Sequence, residues 1–261
     1  MNMNKIEAVV FDWAGTMIDY GCFAPLEAFL EIFRKRQVTI TVDEAREPMG
    51  MLKIEHIRAL CAMPRIRTEW IRVHGTEPTE KDIIEMNDDF ESILFSLLPD
   101  FTSPIPGAIE LVERLREKGI KIGSTTGYTK AMMEIVAPRA KQNGYAPDCY
   151  FTADDVKAGR PFPWMCYANA TELNVYPMNR MIKVGDTTTD MKEGKNAGMW
   201  TVGVVLGSSE LALSEDEVKQ MTETELQQRM ETVRKRLFGA GADFVIDCIS
   251  DLDQIIEQLE Q

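Results

Sequence analysis

The sequence predicts an α/β protein whose core is a parallel sheet with helices on both faces, and which carries an inserted all-helical domain. From about residue 104 onward, short apolar runs typical of buried strands alternate with helical patterns, which is the order that a parallel sheet requires. Between the first apolar run and that point, the pattern is helical throughout. The helical block therefore interrupts the sheet after its first strand.

The first apolar run, residues 6–11, predicts a short buried strand that ends directly before Asp12. Apolar residues at helical spacing then predict helices over residues 25–37, 48–61, 69–74 and 79–98. The second of these is expected to open at Pro48, because proline is favoured in the first turn of a helix. We therefore expect a helical cap domain over residues 21–101 and a core domain built from residues 1–20 and 102–261.

The remaining elements follow in regular alternation. Strands are predicted over residues 120–124, 150–152, 181–184, 201–205 and 244–246. Helices are predicted over residues 108–118, 130–143, 163–173, 189–197 and 252–258, and Gly119, Gly144 and Gly198 follow three of them as stop signals. This order indicates a Rossmann-like core. The charged stretch 213–237, with Leu226, Met230, Val233 and Leu237 at helical spacing, predicts a solvated surface helix.

Composition limits the function classes. The 261 residues are 44% apolar, enough for a sizeable core. The net charge of −13 argues against non-specific binding of nucleic acid, which needs a basic surface. The five cysteines are scattered without CxxC spacing, so neither a zinc site nor a disulfide framework is indicated. No apolar run approaches the ~20 residues that span a bilayer, and no signal-peptide pattern is visible. We expect a cytoplasmic protein with a small-molecule substrate.

Polar residues follow three of the predicted strands. Asp12 follows the first strand, Thr126 and Gly127 follow another, and Asp186 follows a third, with Asp190 four residues later. Ligands of open α/β sheets bind beyond the carboxyl ends of the strands. Converging carboxylates make an oxygen-rich site that suits Mg²⁺. A carboxylate can also attack phosphorus and form an aspartyl-phosphate.

Thr126 and one further residue, Arg160, are suited to bind a phosphoryl group. Thr126 and nearby backbone N–H groups are candidates to hold phosphoryl oxygens, and the planar guanidinium of Arg160 is suited to neutralise their charge. Taken singly, each has a plainer interpretation, since an Asp or Thr after a strand is usually a helix cap and an Arg is usually a surface charge. Together they predict a magnesium-dependent hydrolase that uses Asp12 as its nucleophile.

Four segments of the sequence resemble the motifs of the haloacid dehalogenase superfamily. These are FDWAGT at residues 11–16, Thr126 in IGSTTGYT, Arg160 in KAGRPFP, and the pair Asp186 and Asp190 in VGDTTTDMKEG. The chain departs from the pattern at Ala14, where phosphatases of the superfamily carry a second Asp as general acid. Loss of a general acid typically costs ~10²–10⁴-fold in rate, so an ordinary phosphate ester is a poor substrate for this arrangement.

DWAGT, followed by MGMLKIEH at residues 49–56, resembles the phosphonoacetaldehyde hydrolase branch of that superfamily. The resemblance implies cleavage of a carbon–phosphorus bond, with Lys53 forming a Schiff base so that an enamine leaves instead of a carbanion. It also implies that Mg²⁺ is bound by Asp12, Asp186 and the backbone carbonyl of Ala14, with Asp190 in the same metal site. Such a reaction needs no general acid at position 14.

The helical cap would supply the other reactive groups. Met49, Lys53 and His56 fall on one face of the predicted helix, and His56 is a candidate to shuttle protons. Cys22 and Tyr128 are expected to line the substrate pocket, and the resemblance implies a homodimer formed through the cap. Two alternatives stay open: a phosphomonoesterase of the same superfamily, and a non-catalytic interaction protein. A dehalogenase is less favoured, because it has no need of a metal-binding Asp186.

Overall fold

A computed structural model describes residues 5–48, 51 and 53–261, and these fall into two compact units. The core unit comprises Met1–Cys22 and Thr102–Gln261, and the helical unit comprises Phe23–Phe101. Gly21 and Cys22, which the sequence assigned to the cap, thus belong to the core unit. No helix in the described part of the chain is both long and apolar enough to cross a bilayer.

The elements follow one another in the predicted order. The strands are β1 (Ala8–Phe11), β2 (Lys121–Thr126), β3 (Cys149–Thr152), β4 (Met181–Gly185), β5 (Trp200–Val204) and β6 (Phe244–Ile246). The helices of the helical unit are α1 (Phe23–Arg34), α2 (Val42–Arg46), α3 (Lys53–Ala62), α4 (Pro64–His74) and α5 (Glu80–Leu97). Those of the core unit are α6 (Ala108–Glu117), α7 (Lys130–Gln142), α8 (Trp164–Glu172), α9 (Thr188–Ala197), α10 (Glu215–Gln220), α11 (Glu223–Gly239) and α12 (Leu252–Glu260).

The six described strands form one parallel sheet in the order β3-β2-β1-β4-β5-β6. All four residues of β1 are fully buried, and alternate residues of a strand point to opposite faces, so both faces of the sheet are covered. The chain runs outward from β1 to β3 and then crosses to β4 on the other side of β1. This reversal between β1 and β4 is where doubly wound folds bind their ligands.

The register brings the strand ends together. Phe11 pairs with Ser124 of β2 and with Val184 of β4, and the N–H of Asp12 donates to the Val184 carbonyl at 2.9 Å. β2 continues for two residues beyond Ser124, the predicted end of this strand. Thr125 and Thr126 are therefore part of β2 and do not lie in a turn after it. Asp12 therefore lies between the ends of two neighbouring strands.

The segment predicted as one solvated surface helix differs from that expectation. It forms two helices, α10 and α11, and the α11 residues Met230, Val233 and Leu237 are buried in a cluster with Met191 and Val205. The apolar spacing in this otherwise charged stretch thus marks a stripe that packs on the core unit. The prediction of a solvated helix was wrong for this face of α11.

In the helical unit, α1 packs against α5 and α2, and α3 packs against α4 and α5. The prediction that a helix opens at Pro48 was wrong. Pro48 lies in the turn after α2, and α3 begins only at Lys53. The sequence analysis also missed α2, a five-residue helix that starts with a capping box between Thr41 and Glu44. Met49, predicted to share a helix face with Lys53, lies outside the described residues.

Candidate active site

Asp12 occupies the centre of the core unit's strand ends. Its side chain is buried, and its Oδ1 accepts a hydrogen bond from the Arg160 guanidinium at 2.6 Å. Burial raises the pKa of the Asp12 carboxyl, while the adjacent positive charge of Arg160 acts in the opposite direction. The pairing with Arg160 therefore favours the ionised carboxylate that a nucleophile requires.

Asp186 and Asp190 join Asp12 in one cluster, in which carboxylate oxygens of the three residues lie within 4.8 Å of one another. Asp186 follows β4 directly, and Asp190 lies in the first turn of α9, where Thr187 and Asp190 form a capping box. All three carboxylates thus meet in one cluster, as the sequence predicted.

The carboxylates of Asp186 and Asp190 have opposite electrostatic surroundings. Burial, together with the charges of Asp12 and Asp190, raises the pKa of Asp186 to about 8. Burial alone would also raise the pKa of Asp190, but Arg160 and Lys183 outweigh it and lower that pKa to about 2. Among the described residues, Asp186 is therefore the carboxylate of this cluster that forms no ion pair with a cationic side chain.

The donor set fits a divalent cation. The cluster and its neighbours comprise four carboxylates and two cationic side chains: Asp12, Asp186, Asp190, Glu193, Arg160 and Lys183. When all of these groups are ionised, two negative charges remain in excess in a buried site. Oxygen-only ligands and a doubly negative environment match a hard divalent ion, and such an ion would favour the ionised form of Asp186.

Asp186 is held by residues that the sequence analysis did not identify. Its Oδ2 accepts hydrogen bonds from the Ser209 N–H at 2.8 Å and the Ser209 hydroxyl at 2.6 Å, and its Oδ1 accepts one from the Thr16 hydroxyl at 3.2 Å. Gly15 packs against the same carboxylate, since a Cβ at this position would lie 2.5 Å from Oδ2. Ser209 follows the end of β5, so its position after a strand was the available signal.

The predicted phosphate-binding residues lie at the end of β2. Thr126 is buried, and its hydroxyl oxygen accepts a hydrogen bond from the N–H of Tyr128 at 3.0 Å. Gly127, between them, has open space around it, because an added Cβ would meet no atom within 4 Å. This turn leads into α7, which Thr129 caps. The backbone here has the room that an approaching phosphoryl group needs.

Two other residues that the sequence singled out, Cys22 and Ala14, also lie in the core unit. Cys22 has a left-handed backbone conformation, with φ of 55°, and burial together with the charges of Asp19 and Asp186 raises the pKa of its thiol well above 9. The Cys22 side chain is therefore a neutral thiol. Ala14 lies in the turn after Asp12 and bridges to Ile18, and its side chain is a methyl group, which cannot donate a proton.

Arg160 is almost enclosed by acidic groups. Besides Asp12, its guanidinium lies 2.9 Å from Asp190 Oδ1 and 3.1 Å from Glu193 Oε2, with only 11% of the side chain exposed. Lys183, fully buried on β4, lies 2.9 Å from the same Asp190 oxygen. The sequence analysis predicted Arg160 but missed Lys183 and Glu193. The available signal was a lysine within MIKVG, an otherwise apolar central strand.

Lys53 and His56 lie near one another in the helical unit, flanking a pair of aromatic rings. Lys53 is the first residue of α3, and its Nζ lies 5.3 Å from the centre of the Phe90 ring. The His56 ring stacks on Phe29 with centroids 3.7 Å apart, and the Phe29 and Phe90 rings are 4.6 Å apart. Lys53 and His56, which the sequence placed on one helix face, thus each lie against an aromatic ring: Phe90 of α5 and Phe29 of α1.

His56 has a defined protonation state. Its Nε2–H donates to the Ala45 carbonyl at 3.0 Å, since a carbonyl oxygen can only accept. Burial lowers the pKa of His56 to about 4. The imidazole is therefore neutral near pH 7, with its lone pair on Nδ1.

Comparison with known proteins places this site in a family. The model of the haloacid dehalogenase-like hydrolases matches residues 6–198. The phosphonoacetaldehyde hydrolases of Bacillus cytotoxicus and Bacillus cereus (strain G9842) are 64% and 63% identical to the chain over 257 residues, covering 98% of this chain and 97% of each relative.

Solved structures agree with this assignment. A phosphonoacetaldehyde hydrolase like protein from Oleispira antarctica superposes with a TM-score of 0.79 at 40% identity, covering 98% of this chain and 92% of that one. A β-phosphoglucomutase from Clostridium difficile, at 19% identity and a TM-score of 0.59, covers 98% of this chain and 97% of its own and shares the fold. The chain therefore belongs to the haloacid dehalogenase-like hydrolases and, within them, to the family of the phosphonoacetaldehyde hydrolases.

Proposed function

We propose that this chain hydrolyses the carbon–phosphorus bond of phosphonoacetaldehyde to acetaldehyde and phosphate. The observation that carries the proposal is a buried carboxylate nucleophile, Asp12, paired with Arg160 and followed by Ala14 where a general acid would stand. A carbon leaving group that departs as an enamine needs no proton at that moment, whereas an alkoxide does. The identity of 64% to a phosphonoacetaldehyde hydrolase supports the same substrate.

The reaction attaches the substrate covalently at two residues, first at Lys53 and then at Asp12. The Lys53 amine condenses with the substrate aldehyde and releases water, which leaves an iminium. A carboxylate oxygen of Asp12 then bonds to phosphorus while the carbon–phosphorus electron pair moves into the iminium and forms an enamine. Protonation of the enamine at carbon and addition of water release acetaldehyde and free Lys53. A second water hydrolyses the aspartyl-phosphate to phosphate and restores Asp12.

The surroundings of Lys53 and His56 support these roles. The face of the Phe90 ring lies where it would stabilise the positive charge of an iminium formed at Nζ. His56 is held as the neutral tautomer by Ala45, so its Nδ1 lone pair is suited to accept a proton during imine formation and return it later.

Magnesium would be held by the carboxylates of Asp12 and Asp186 and by the backbone carbonyl of Ala14. The Asp190 oxygens are already contacted by Lys183, Arg160 and Thr187, which favours a role for Asp190 through water at that site. When bound, the ion would neutralise charge on the phosphoryl oxygens during transfer.

The other predicted residues surround the substrate in this proposal. Thr126, the Gly127 backbone and Arg160 would bind the phosphoryl oxygens, because a hydroxyl, an open backbone turn and a guanidinium are complementary to an oxyanion. The neutral Cys22 thiol and Tyr128 would line the pocket.

The division into a catalytic core domain and a helical cap domain belongs to the same proposal, with the cap starting at Phe23 and not at residue 21. So does assembly as a homodimer through the cap, where Met51 is an exposed apolar residue, 56% accessible. We place the protein in the cytoplasm because its cysteines are free thiols, as a reducing compartment favours.

Reductive trapping tests the proposed function. Borohydride added together with phosphonoacetaldehyde is expected to leave a stable adduct on the peptide that contains Lys53 and to abolish phosphate release. The Lys53→Arg variant keeps the positive charge but cannot form an imine, so it is the matched control and should acquire no adduct. An unmodified Lys53 in the wild type would overturn the Schiff-base mechanism. Rapid turnover of alkyl phosphate esters without turnover of phosphonoacetaldehyde would indicate a phosphomonoesterase instead.

A further inference from the structure

The hydroxyl of Thr125 is the meeting point of three charged side chains in the core unit. Its oxygen accepts hydrogen bonds from the Arg160 guanidinium at 2.8 Å and from Lys183 Nζ at 3.0 Å. Its proton is donated to Glu193 Oε2 at 3.0 Å. A hydroxyl has one donor and two acceptor sites, so this one is fully used. Thr125, Lys183 and Glu193 have no exposed surface.

The charges around this hydroxyl alternate in sign. Glu193 Oε2 lies 3.1 Å from Arg160 Nε and 3.5 Å from Lys183 Nζ. On the other side, Asp190 Oδ1 lies 2.9 Å from each of the same two cations. Every charge in the group is therefore paired, which buried charges require. The proposed reaction employs Arg160 and Asp190 but gives no role to Thr125, Lys183 or Glu193.

Burying a cluster of charged side chains costs desolvation free energy, so such a cluster is a poor way to gain stability alone. Apolar side chains of similar volume in place of a buried ion pair often leave a protein equally stable or more stable. The geometry here does something that an apolar cluster cannot. Thr125, Glu193 and Asp190 each contact the guanidinium of Arg160, which orients its remaining contact, 2.6 Å to Asp12 Oδ1.

We propose that Thr125, Lys183 and Glu193 are positioning residues for the transfer to Asp12, acting through Arg160. Thr125 and Glu193 contact the guanidinium, and Lys183 holds both of them through its own contacts. The guanidinium in turn fixes the orientation of the Asp12 carboxylate. A displacement of about 1 Å in a reacting group can lower a rate by ~10²-fold. This inference rests on the proposed function, because the reaction whose rate it concerns is the attack of Asp12 on phosphorus.

A double-mutant cycle tests the inference. Thr125→Val removes the hydroxyl at nearly constant shape, and Thr125→Ser retains it. We expect Thr125→Val to lower kcat for phosphate release from phosphonoacetaldehyde by ~10²-fold and Thr125→Ser to stay within about threefold of the wild type. In an Arg160→Lys background, which lacks the planar fork, Thr125→Val should cost less than about threefold, because residues that act through one another are not additive.

Glu193→Gln examines the acid of the group separately. The amide retains an oxygen for the Thr125 hydroxyl but removes the charge beside Arg160 Nε. We expect a loss of about tenfold in kcat that also disappears in the Arg160→Lys background. Thermal unfolding of each variant, with kcat measured well below its midpoint, separates a change of rate from a loss of folded protein.

The outcomes separate the inference from the function on which it rests. Equal costs of Thr125→Val in both backgrounds, in an active wild-type enzyme, would overturn the positioning role and leave the proposed function intact. A folded Thr125→Val enzyme with unchanged kcat would do the same. A wild-type protein that releases no phosphate from phosphonoacetaldehyde would overturn both.

Discussion

Acidification should destabilise the protein through His56. The pKa of this imidazole is about 4 in the folded chain, below its ordinary value of 6.5. Between these two values the unfolded chain binds a proton at His56 and the folded chain does not. The contribution of His56 to stability is therefore complete above pH 6.5 and is lost as the pH falls toward 4. Each pH unit in this window is worth about 1.36 kcal/mol, so a change from about pH 7.5 to about pH 5 should cost about 2 kcal/mol.

The contacts of His56 explain why its pKa is lowered, and they also indicate a suitable control variant. His56 has only 1% of its surface exposed and stacks on Phe29 with an interplanar angle of 11°. His56→Phe keeps an aromatic ring for that stack but removes the titrating group and the hydrogen bond to Ala45. All other titratable side chains are shared by the two proteins, so their effects cancel in the difference.

Urea unfolding, followed by circular dichroism at several pH values, measures this difference. The free energy of unfolding of the wild type minus that of His56→Phe should fall by about 2 kcal/mol over that interval. A difference that stays constant within about 0.5 kcal/mol would refute the view that burial holds His56 neutral. It would also remove the basis for its proposed role as a proton acceptor at neutral pH.

Three other expectations concern the core unit. Gly15→Ala should lower the free energy of unfolding by about 1–3 kcal/mol, because φ is 84° and the added Cβ would lie 2.5 Å from Asp186 Oδ2. Gly239→Ala, with open space at its Cβ, is the control in the same thermal unfolding experiment, and equal losses in the two variants would contradict the reasoning. Magnesium at a hundredfold excess over its Kd should stabilise the protein by about 2.7 kcal/mol, and a chelator should reverse this; an unchanged melting temperature would argue against a cation among the three carboxylates. Ala14→Asp should raise the hydrolysis of an alkyl phosphate ester by ~10²–10⁴-fold, and no gain would show that the missing acid is not what limits that reaction.

The sequence predicted the succession of strands along the chain and the meeting of Asp12, Asp186 and Asp190, because both follow from local patterns and one topological rule. Apolar runs mark buried strands, and parallel strands end at the same edge of a sheet. The start of α3 was harder, since Pro48 satisfies the rule for a helix beginning but lies in a turn. That choice depends on packing in the helical unit, which local propensity does not encode.

The missed residues are those whose role comes from contacts distant in sequence. Lys183 lies in an apolar strand, and its partners Glu193 and Thr125 are on α9 and β2. Ser209 follows β5 without any recognisable motif, yet it donates two hydrogen bonds to Asp186. The protonation state of His56 likewise depends on Phe29 and Ala45, which belong to other helices. Such pairings become visible only when the chain is folded.

The central position of β1 has a consequence for how the protein is made. This strand pairs with β2, which begins at Lys121 after the whole helical unit, and with β4, which begins at Met181. In a chain emerging from the ribosome, Asp12 therefore appears well before the neighbouring strands that orient it. Closing such long loops slows the formation of a sheet, and an unpaired apolar strand is prone to aggregate during the delay. The helical unit, whose residues are contiguous, can fold within that interval.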